Sequence, residues 1–338
     1  MRVRHLTAKT VLTTALLAST LALAGCGTPG SGGGEEEPTA NASASGGTEC
    51  KPAAGDQLVV LTDDKGLQNA DNIIPAINKA AADKNPEIVD LLSSVSAALD
   101  TDKLIQLNKA VDIDRRTSKE VAKEFVTSEG LAAADKSGSG KLEVGAANFS
   151  ENLTLAEIYG EVLRSAGFDV TVRSIGNRET YLPPLEKGEL VAVPEYAATL
   201  ADFLNAKING AEAPSVASSD VDATVAALTP LAEQSKLVVG KASAAQDQNA
   251  FAVTKEFADA HKVTSLSELA TACGGGLTLA GPPECPDRPF CQPGLEEKYG
   301  LSFTQFKSYD FGLIGDAVRK GDAAIGLVLS SDGSLAAG

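Results

Sequence analysis

From Leu142 onward the apolar positions switch repeatedly between strand-like and helix-like spacing. "KLEVGA" reads as a short strand, and "ENLTLAEIYGEVLRSAGF" then places Leu155, Ile158, Tyr159, Val162, Leu163 and Ala166 on one helical face. Gly167 stands where a helix terminator belongs, since glycine takes the left-handed backbone that ends many helices. Further strands are expected at "DVTVRSI", "LVAV", "KLVVG", "FAVT", "LTLA" and "AAIGLVL", with helices at 221–234 and 313–320. Such alternation predicts an α/β architecture on a mainly parallel sheet. About 280 ordered residues exceed one usual core, so two lobes are expected.

Before Leu142 the pattern differs. One strand, "QLVVLTDD", and a short apolar run, "NIIPAI", precede a series of helices. Asn85-Pro86 is a cap followed by proline at the first helical position, with Ile88, Leu91, Leu92, Val95 and Leu99 at helical spacing. "SKEVAKEFVTSEG" gives another helix, with Ser118 as its cap and Gly130 beyond its end. "AAADKSGSGK" follows as a linker. Amphipathic helices with so little sheet of their own must dock on the α/β part.

The first residues bear on location. "MRVRHLTAK" supplies Arg2, Arg4 and Lys9 ahead of the apolar "VLTTALLASTLALAGC", the pattern of a signal peptide over 1–25. Leu23-Ala24-Gly25-Cys26 matches the lipobox of bacterial lipoproteins, which makes Cys26 the lipidation site. The expected mature protein is therefore anchored by lipid to the outer face of the cytoplasmic membrane. "GTPGSGGGEEEPTANASASGG" has almost no large apolar residue and reads as a flexible leash, so 26–55 is assigned to the lipidated cysteine and linker.

Without residues 1–25 the chain carries 26 basic side chains against 45 acidic, a net charge of −19, which argues against nucleic acid or anionic lipid as a partner. It would keep a single histidine, His261, so His-based triads and His-rich metal sites are nearly excluded. Cys50, Cys273, Cys285 and Cys291 remain for disulfides, with three possible connectivities. The favoured one joins Cys285 to Cys291 across "CPDRPFC" and Cys50 to Cys273. A zinc site is the competing reading, although no CxxC pair supports it.

The residues resemble a known family, the substrate-binding proteins of ABC transporters for glycine betaine, choline and related osmoprotectants. "LEVGAANFSENLTLAEIYGEVLRSAGFDV" is similar to that family's opening strand and helix. "IGNRETYLPPLEKGELVAVPEYAATLADFLN" is similar to its next module, marked by Pro194-Glu195-Tyr196, and "FKSYDFGLIGDAVRKGDAAIGLVLSSDG" to a late one. In the family the late strand and turn run on into a "LVVLxDDK" strand and C-terminal helices. Here that piece, 58–131, comes first, while "GLVLSSDGSLAAG" has no following partner element. The chain thus resembles a circular permutant, with "AAADKSGSGK" joining the former termini. A helical domain fused upstream of a truncated binding protein is the alternative.

The resemblance implies a bilobed, type II periplasmic-binding-protein-like fold: two α/β lobes with a hinge, circularly permuted. It divides the chain into a relocated module at 56–135, a linker at 136–141, a first lobe core at 142–235, and a second lobe with crossover strands at 236–338. It further implies a monomer that closes over a small-molecule solute and delivers it to the transmembrane subunits of an ABC permease. No enzyme activity, cofactor or metal is implied, and the membrane is met through the anchor only. An enzyme or sensor lipoprotein on the same fold is the alternative.

Tyr196 and Thr199 stand at positions that contact ligand in the family, and Asn152 replaces a family glutamine. Aligned without gaps, the other aromatic-cage tyrosines fall at Asn249, Gly315 and Leu329, which removes three of four walls around a quaternary ammonium. Arg178 and Glu179 in "GNRET" are expected to meet a charged or zwitterionic ligand. Asn148 and Asp332 complete the candidate set. Each also has an ordinary reading, as a cap, a core-edge residue or half of a solvated salt bridge.

Overall fold

The computed structural model describes residues 50–336. The signal segment, Cys26 and the leash lie outside the described residues. Among the described residues, ten strands form two five-stranded sheets. The first has the order β4 (Asp169–Gly176), β3 (Lys141–Ala147), β5 (Ala192–Tyr196), β2 (Ile73–Asn78), β6 (Leu237–Val239). The second runs β1 (Leu58–Leu61), β7 (Asn249–Thr254), β10 (Ile325–Leu329), β8 (Leu277–Gly281), β9 (Phe303–Ser308).

The chain crosses between the sheets twice, along 62–72 and 240–248, and these two segments form the hinge of a bilobed α/β fold. The sheets are mixed rather than mainly parallel. Each crossover delivers a strand that runs antiparallel to its neighbours: β2 against β5 and β6, and β7 against β1 and β10. Only the pairings β3 with β4 and β5, and β8 with β9 and β10, are parallel.

The apolar run "NIIPAI" is an interior strand, β2, despite its proline. Pro75 faces Pro194 of β5. The flanking bonds, Ala197 N to Asn72 O at 3.0 Å and Asn78 N to Val191 O at 2.9 Å, put that pair in the non-hydrogen-bonded register. Across this pair neither proline is asked for the donor it lacks; on the β6 side Pro75 only accepts, from Gly240 N at 2.9 Å, and the return bond is forgone. Strand β9, "FTQFKS", has no clean alternation and escaped the sequence pattern; it is an edge strand with mostly exposed or half-buried positions.

The early helices do dock on the first sheet. Ile88, Leu92 and Val95 of the helix Glu87–Ala98, with Val121 and Phe125 of Ser118–Ser128, share one core with Leu155, Ile158, Tyr159 and Val162 of Ser150–Ser165. Each such fully buried side chain contributes roughly 1.5–3 kcal/mol by leaving water. The cap of Ser118–Ser128 is Thr117 rather than Ser118: its hydroxyl accepts from Glu120 N, and the Glu120 carboxylate accepts from Thr117 N, a reciprocal capping box. The opposite face of the sheet is covered by Arg178–Lys187, Ala197–Asn209 and Val221–Gln234.

The second lobe carries both disulfides, Cys50–Cys273 and Cys285–Cys291, the pairing favoured from the sequence. The first fastens residue 50 to the helix Leu266–Cys273. His261 Nδ1 lies 3.5 Å from Cys50 Sγ. Cys50, His261 and Cys273 thus converge as three potential metal donors, but the two sulfurs are bonded to each other.

Candidate functional site

Two cavities, of about 590 and 530 Å³, adjoin where the first sheet meets the hinge. Both are lined by Asp71, Arg178, Thr199 and Asp247. The smaller also takes Asn249 and Leu329 from the second sheet, so the combined space lies between the lobes. A larger cavity, about 660 Å³, lies toward β1 and the helix Thr101–Asn108; it shares only Gln68, Gln248 and Asn249 with the interlobe space. Size does not select between them; the convergence of charged and aromatic groups from both lobes favours the interlobe pair.

Arg178 opens its helix after Gly176 and the cap residue Asn177; the φ of +135° at Gly176 lets the chain turn out of β4. Its Nε and Nη2 donate to the two carboxylate oxygens of Glu195 at 2.9 and 2.7 Å, and Nη2 also donates to Thr199 Oγ1 at 2.9 Å. The guanidinium carbon sits 5.6 Å from the Phe203 ring centre. Glu195 is fully buried on β5 and accepts a further bond from Tyr181 Oη at 2.7 Å. Burial opposes the charge on Arg178, yet the Glu195 carboxylate outweighs it and holds the guanidinium protonated beyond its ordinary range.

Asp71, in the first hinge segment, accepts from Thr199 N at 3.0 Å and so caps the helix Ala197–Asn209 from outside it. Burial raises its pKa to about 7; Thr199 N–H and Arg178 pull the other way, and Asp247 and Glu195 add to the rise. Glu151 is likewise pushed up to about 7 by burial and then by Asp247. It accepts from Tyr196 Oη at 2.7 Å and Asn108 Nδ2 at 2.6 Å. Asn108 also donates to Ser331 O, and Ser331 Oγ donates to Asp247 at 2.9 Å. Tyr196, Glu151, Asn108, Ser331 and Asp247 therefore form one polar chain that ties the first lobe to the hinge and to the end of β10.

Of the residues singled out from the sequence, Asn148, Arg178, Tyr196 and Thr199 line the first cavity, and Asn249 lines the second. The Tyr196 ring stacks on Phe149, centroids 6.2 Å apart. Three candidates are placed differently. Asn152 is fully buried; its oxygen accepts from Ala147 N at 2.7 Å and its amide donates to Pro194 O at 2.9 Å, so it pins β3 to β5. Glu179 is exposed and outside both cavities. Asp332 caps a single 3₁₀ turn by accepting from Ser334 N at 2.8 Å. Arg178 faces both cavities, but its Nε and Nη2 are engaged by Glu195 and Thr199, which leaves Nη1 as the part of the guanidinium with no hydrogen-bond partner among the described residues.

Gly315 is no cage position either: it lies against Leu58 and Arg319 and lines neither cavity. Aromatic surface comes instead from Phe149 and Phe290, both over 40 % exposed, and from Phe203. Sequence reasoning missed Asp71, Glu151, Asp247, Phe149 and Glu195. Phe149, Glu151 and Glu195 lie inside stretches it did quote, "NFSEN" of the opening module and Pro194-Glu195-Tyr196, but nothing in their spacing separates a cleft residue from a surface one.

A model of the substrate-binding domain of ABC-type glycine betaine transport systems matches residues 51–128 and 140–337. The chain belongs to this family. A glycine-betaine-binding protein of Pseudomonas aeruginosa is 27% identical over 219 residues, covering 61% of this chain and 67% of its own length. Apo YehZ from Escherichia coli shares the fold, with a TM-score of 0.50 and 21% identity over 58% of this chain and 72% of that one. A glycine betaine/carnitine/choline ABC transporter structure is also similar, with a TM-score of 0.46 and 18% identity over 59% and 71%. The protein is an extracytoplasmic, non-catalytic solute-binding protein of an osmoprotectant-type ABC importer, working with permease subunits.

Proposed function

We propose that the protein captures a small polar organic solute, betaine- or choline-like or a related compound, in the interlobe cleft and hands it to the permease. The reading rests on one observation above the rest: four residues, Asp71, Arg178, Thr199 and Asp247, are common to two adjoining cavities that draw walls from both lobes and the hinge. Closing such a cleft brings the second lobe's Asn249 and Leu329 toward Tyr196 and Phe149. Lipidation at Cys26, attachment to the outer face of the cytoplasmic membrane and a monomeric state complete the proposal, on the sequence pattern alone. The permuted order of modules belongs to it too.

A thermal-shift screen of small polar amines, betaines and amino acids tests the capture. A true solute raises the melting temperature of the parent by mass action and much less that of Tyr196→Ala. If every binder acts equally on both, capture lies outside this cleft.

A further inference from the structure

The charges lining the cleft do not balance. Arg178 is the one cationic side chain among the residues that line the two adjoining cavities. It is ion-paired with Glu195 through Nε and Nη2, at 2.9 and 2.7 Å. Asp71 and Asp247 line both cavities, and no ion pair among the described residues involves either. Asp71 takes one backbone bond, from Thr199 N. Asp247 takes a hydroxyl bond from Ser331, shares a side-chain hydrogen bond with the buried carboxyl of Glu151, and has the charge of Asp332 nearby. Gln248, beside them on the wall of the smaller cavity, has its side-chain oxygen buried with no donor among the described residues. The cleft is therefore lined by acceptors in need of hydrogen and by negative charge in need of a cation.

Resting on the capture reading above, we infer that the solute is a small organic cation that carries N–H donors, a protonated primary or secondary amine, rather than a quaternary ammonium or a zwitterion. A fully methylated nitrogen has charge but no hydrogen to give to Asp71, Asp247 or Gln248. A zwitterion would bring its carboxylate into a wall that already holds Asp71 and Asp247 without an ion pair, with the one guanidinium already paired to Glu195. The flat faces of Phe149 and Tyr196 serve the amine's carbon atoms and its diffuse charge. A cation bound there favours the ionised carboxyls, so binding releases protons and strengthens as pH rises toward 8. The groups that set this are Thr199 N–H, Arg178, Glu195 and Asp247 around Asp71, and Ser331, Glu151 and Asp332 around Asp247.

The test is calorimetric titration of the full-length protein with ethanolamine, N-methylethanolamine, N,N-dimethylethanolamine, choline and glycine betaine, which changes the N–H count on a nearly constant skeleton. Affinity should fall by about tenfold for each charge-assisted bond lost, with choline and betaine weakest. Titration in two buffers of different ionisation enthalpy should show proton release with ethanolamine. Asp71→Asn and Asp247→Asn keep an oxygen for Thr199 N and Ser331 Oγ and should flatten the series. Tighter binding of choline or glycine betaine than of ethanolamine overturns the inference while upholding cleft capture, as does an unchanged ratio in both variants. Failure of all five to bind the parent overturns both.

Discussion

Asp56 and Ser334, near opposite ends of the described chain, are held by one side chain: Arg319 donates from Nε to Asp56 O at 3.1 Å and from Nη2 to Ser334 O at 2.6 Å. Leu335 packs in the same apolar cluster as Leu58 and Val60. If 58–131 is the relocated C-terminal module, the family's chain would pass from residue 336 to β1 at this point, and a short bridge spans it. Linking Gly338 to Gln57 through a few Gly/Ser residues and opening the chain at 134–136 should give a protein with the parent's fold and ligand affinity but a lower melting temperature, because the cut before Gln57 gives up the Cys50–Cys273 disulfide at a cost of about 2–5 kcal/mol. The opening belongs there because Gly138 N bonds to Ala166 O and Gly140 O accepts from Asp169 N, so the linker's second half is tied to β4 and its preceding turn. The fused-domain alternative predicts that 142–338 folds alone; β2 lies between β5 and β6, so we expect that fragment to be unfolded by circular dichroism.

Tyr196 is only 7 % exposed, and its hydroxyl donates to the buried Glu151. Tyr196→Phe should keep the stack on Phe149 and cost about 1–2 kcal/mol of stability by stripping a donor from that carboxyl. Tyr196→Ala should cost about 3–5 kcal/mol, like other large-to-small core changes, and weaken ligand binding as well. Denaturant titrations of Tyr196→Phe, Glu151→Gln and the pair should give a coupling energy of about 1 kcal/mol. Additive effects would mean that the bond does not hold in solution.

How far the fold was legible follows from which forces shape each element. The helix Ser150–Ser165 was readable because one face is wholly buried and its spacing says so. Strand β2 hid behind Pro75, since nothing local reveals that Pro194 faces it in the non-hydrogen-bonded register. Tyr196 and Arg178 were legible as chemistry, but their roles depend on partners far along the chain. Asp71 and Asp247 sit in the two hinge crossovers, where low hydrophobicity reads as solvent-facing loop. Only the crossing of the two segments, with Asp247 N bonded to Asp71 O at 3.1 Å, buries Asp71 and half-buries Asp247.

Glu195 tests how the charged centre is held. Replacing it with Gln leaves the Arg178 guanidinium largely buried without its counter-charge, and the expected loss is about 3–5 kcal/mol. The paired change Arg178→Met with Glu195→Leu removes both charges at similar volume and should recover most of that loss, judged by urea unfolding. A mild effect of Glu195→Gln alone would mean that water already screens the pair.

The buried carboxyls make stability depend on pH with a definite sign. Asp71 and Glu151 are raised to about 7 in the folded protein and Asp247 moves the same way, whereas the unfolded chain ionises such groups near pH 4. Between those limits the native state keeps protons that the unfolded state has released. Their contribution is therefore full at low pH and is lost as pH rises through about 7. The surface carboxylates Asp64, Glu120, Asp135 and Glu268 are held low, chiefly by side-chain hydroxyls, and contribute in the opposite sense. Their share is lost only as pH falls below the ordinary carboxylate range, so it is constant in the window that matters. The unliganded protein should melt several degrees higher at about pH 5.5 than at about pH 8, each group contributing up to about 1.4 kcal/mol for every pH unit by which it titrates later in the folded chain than in the unfolded one. Asp71→Asn and Glu151→Gln should each flatten the profile by removing one of the protons at issue. A parent profile that is already flat would show these carboxyls to be hydrated and ionised throughout, and would remove the desolvated charge on which a preference for a cationic solute depends.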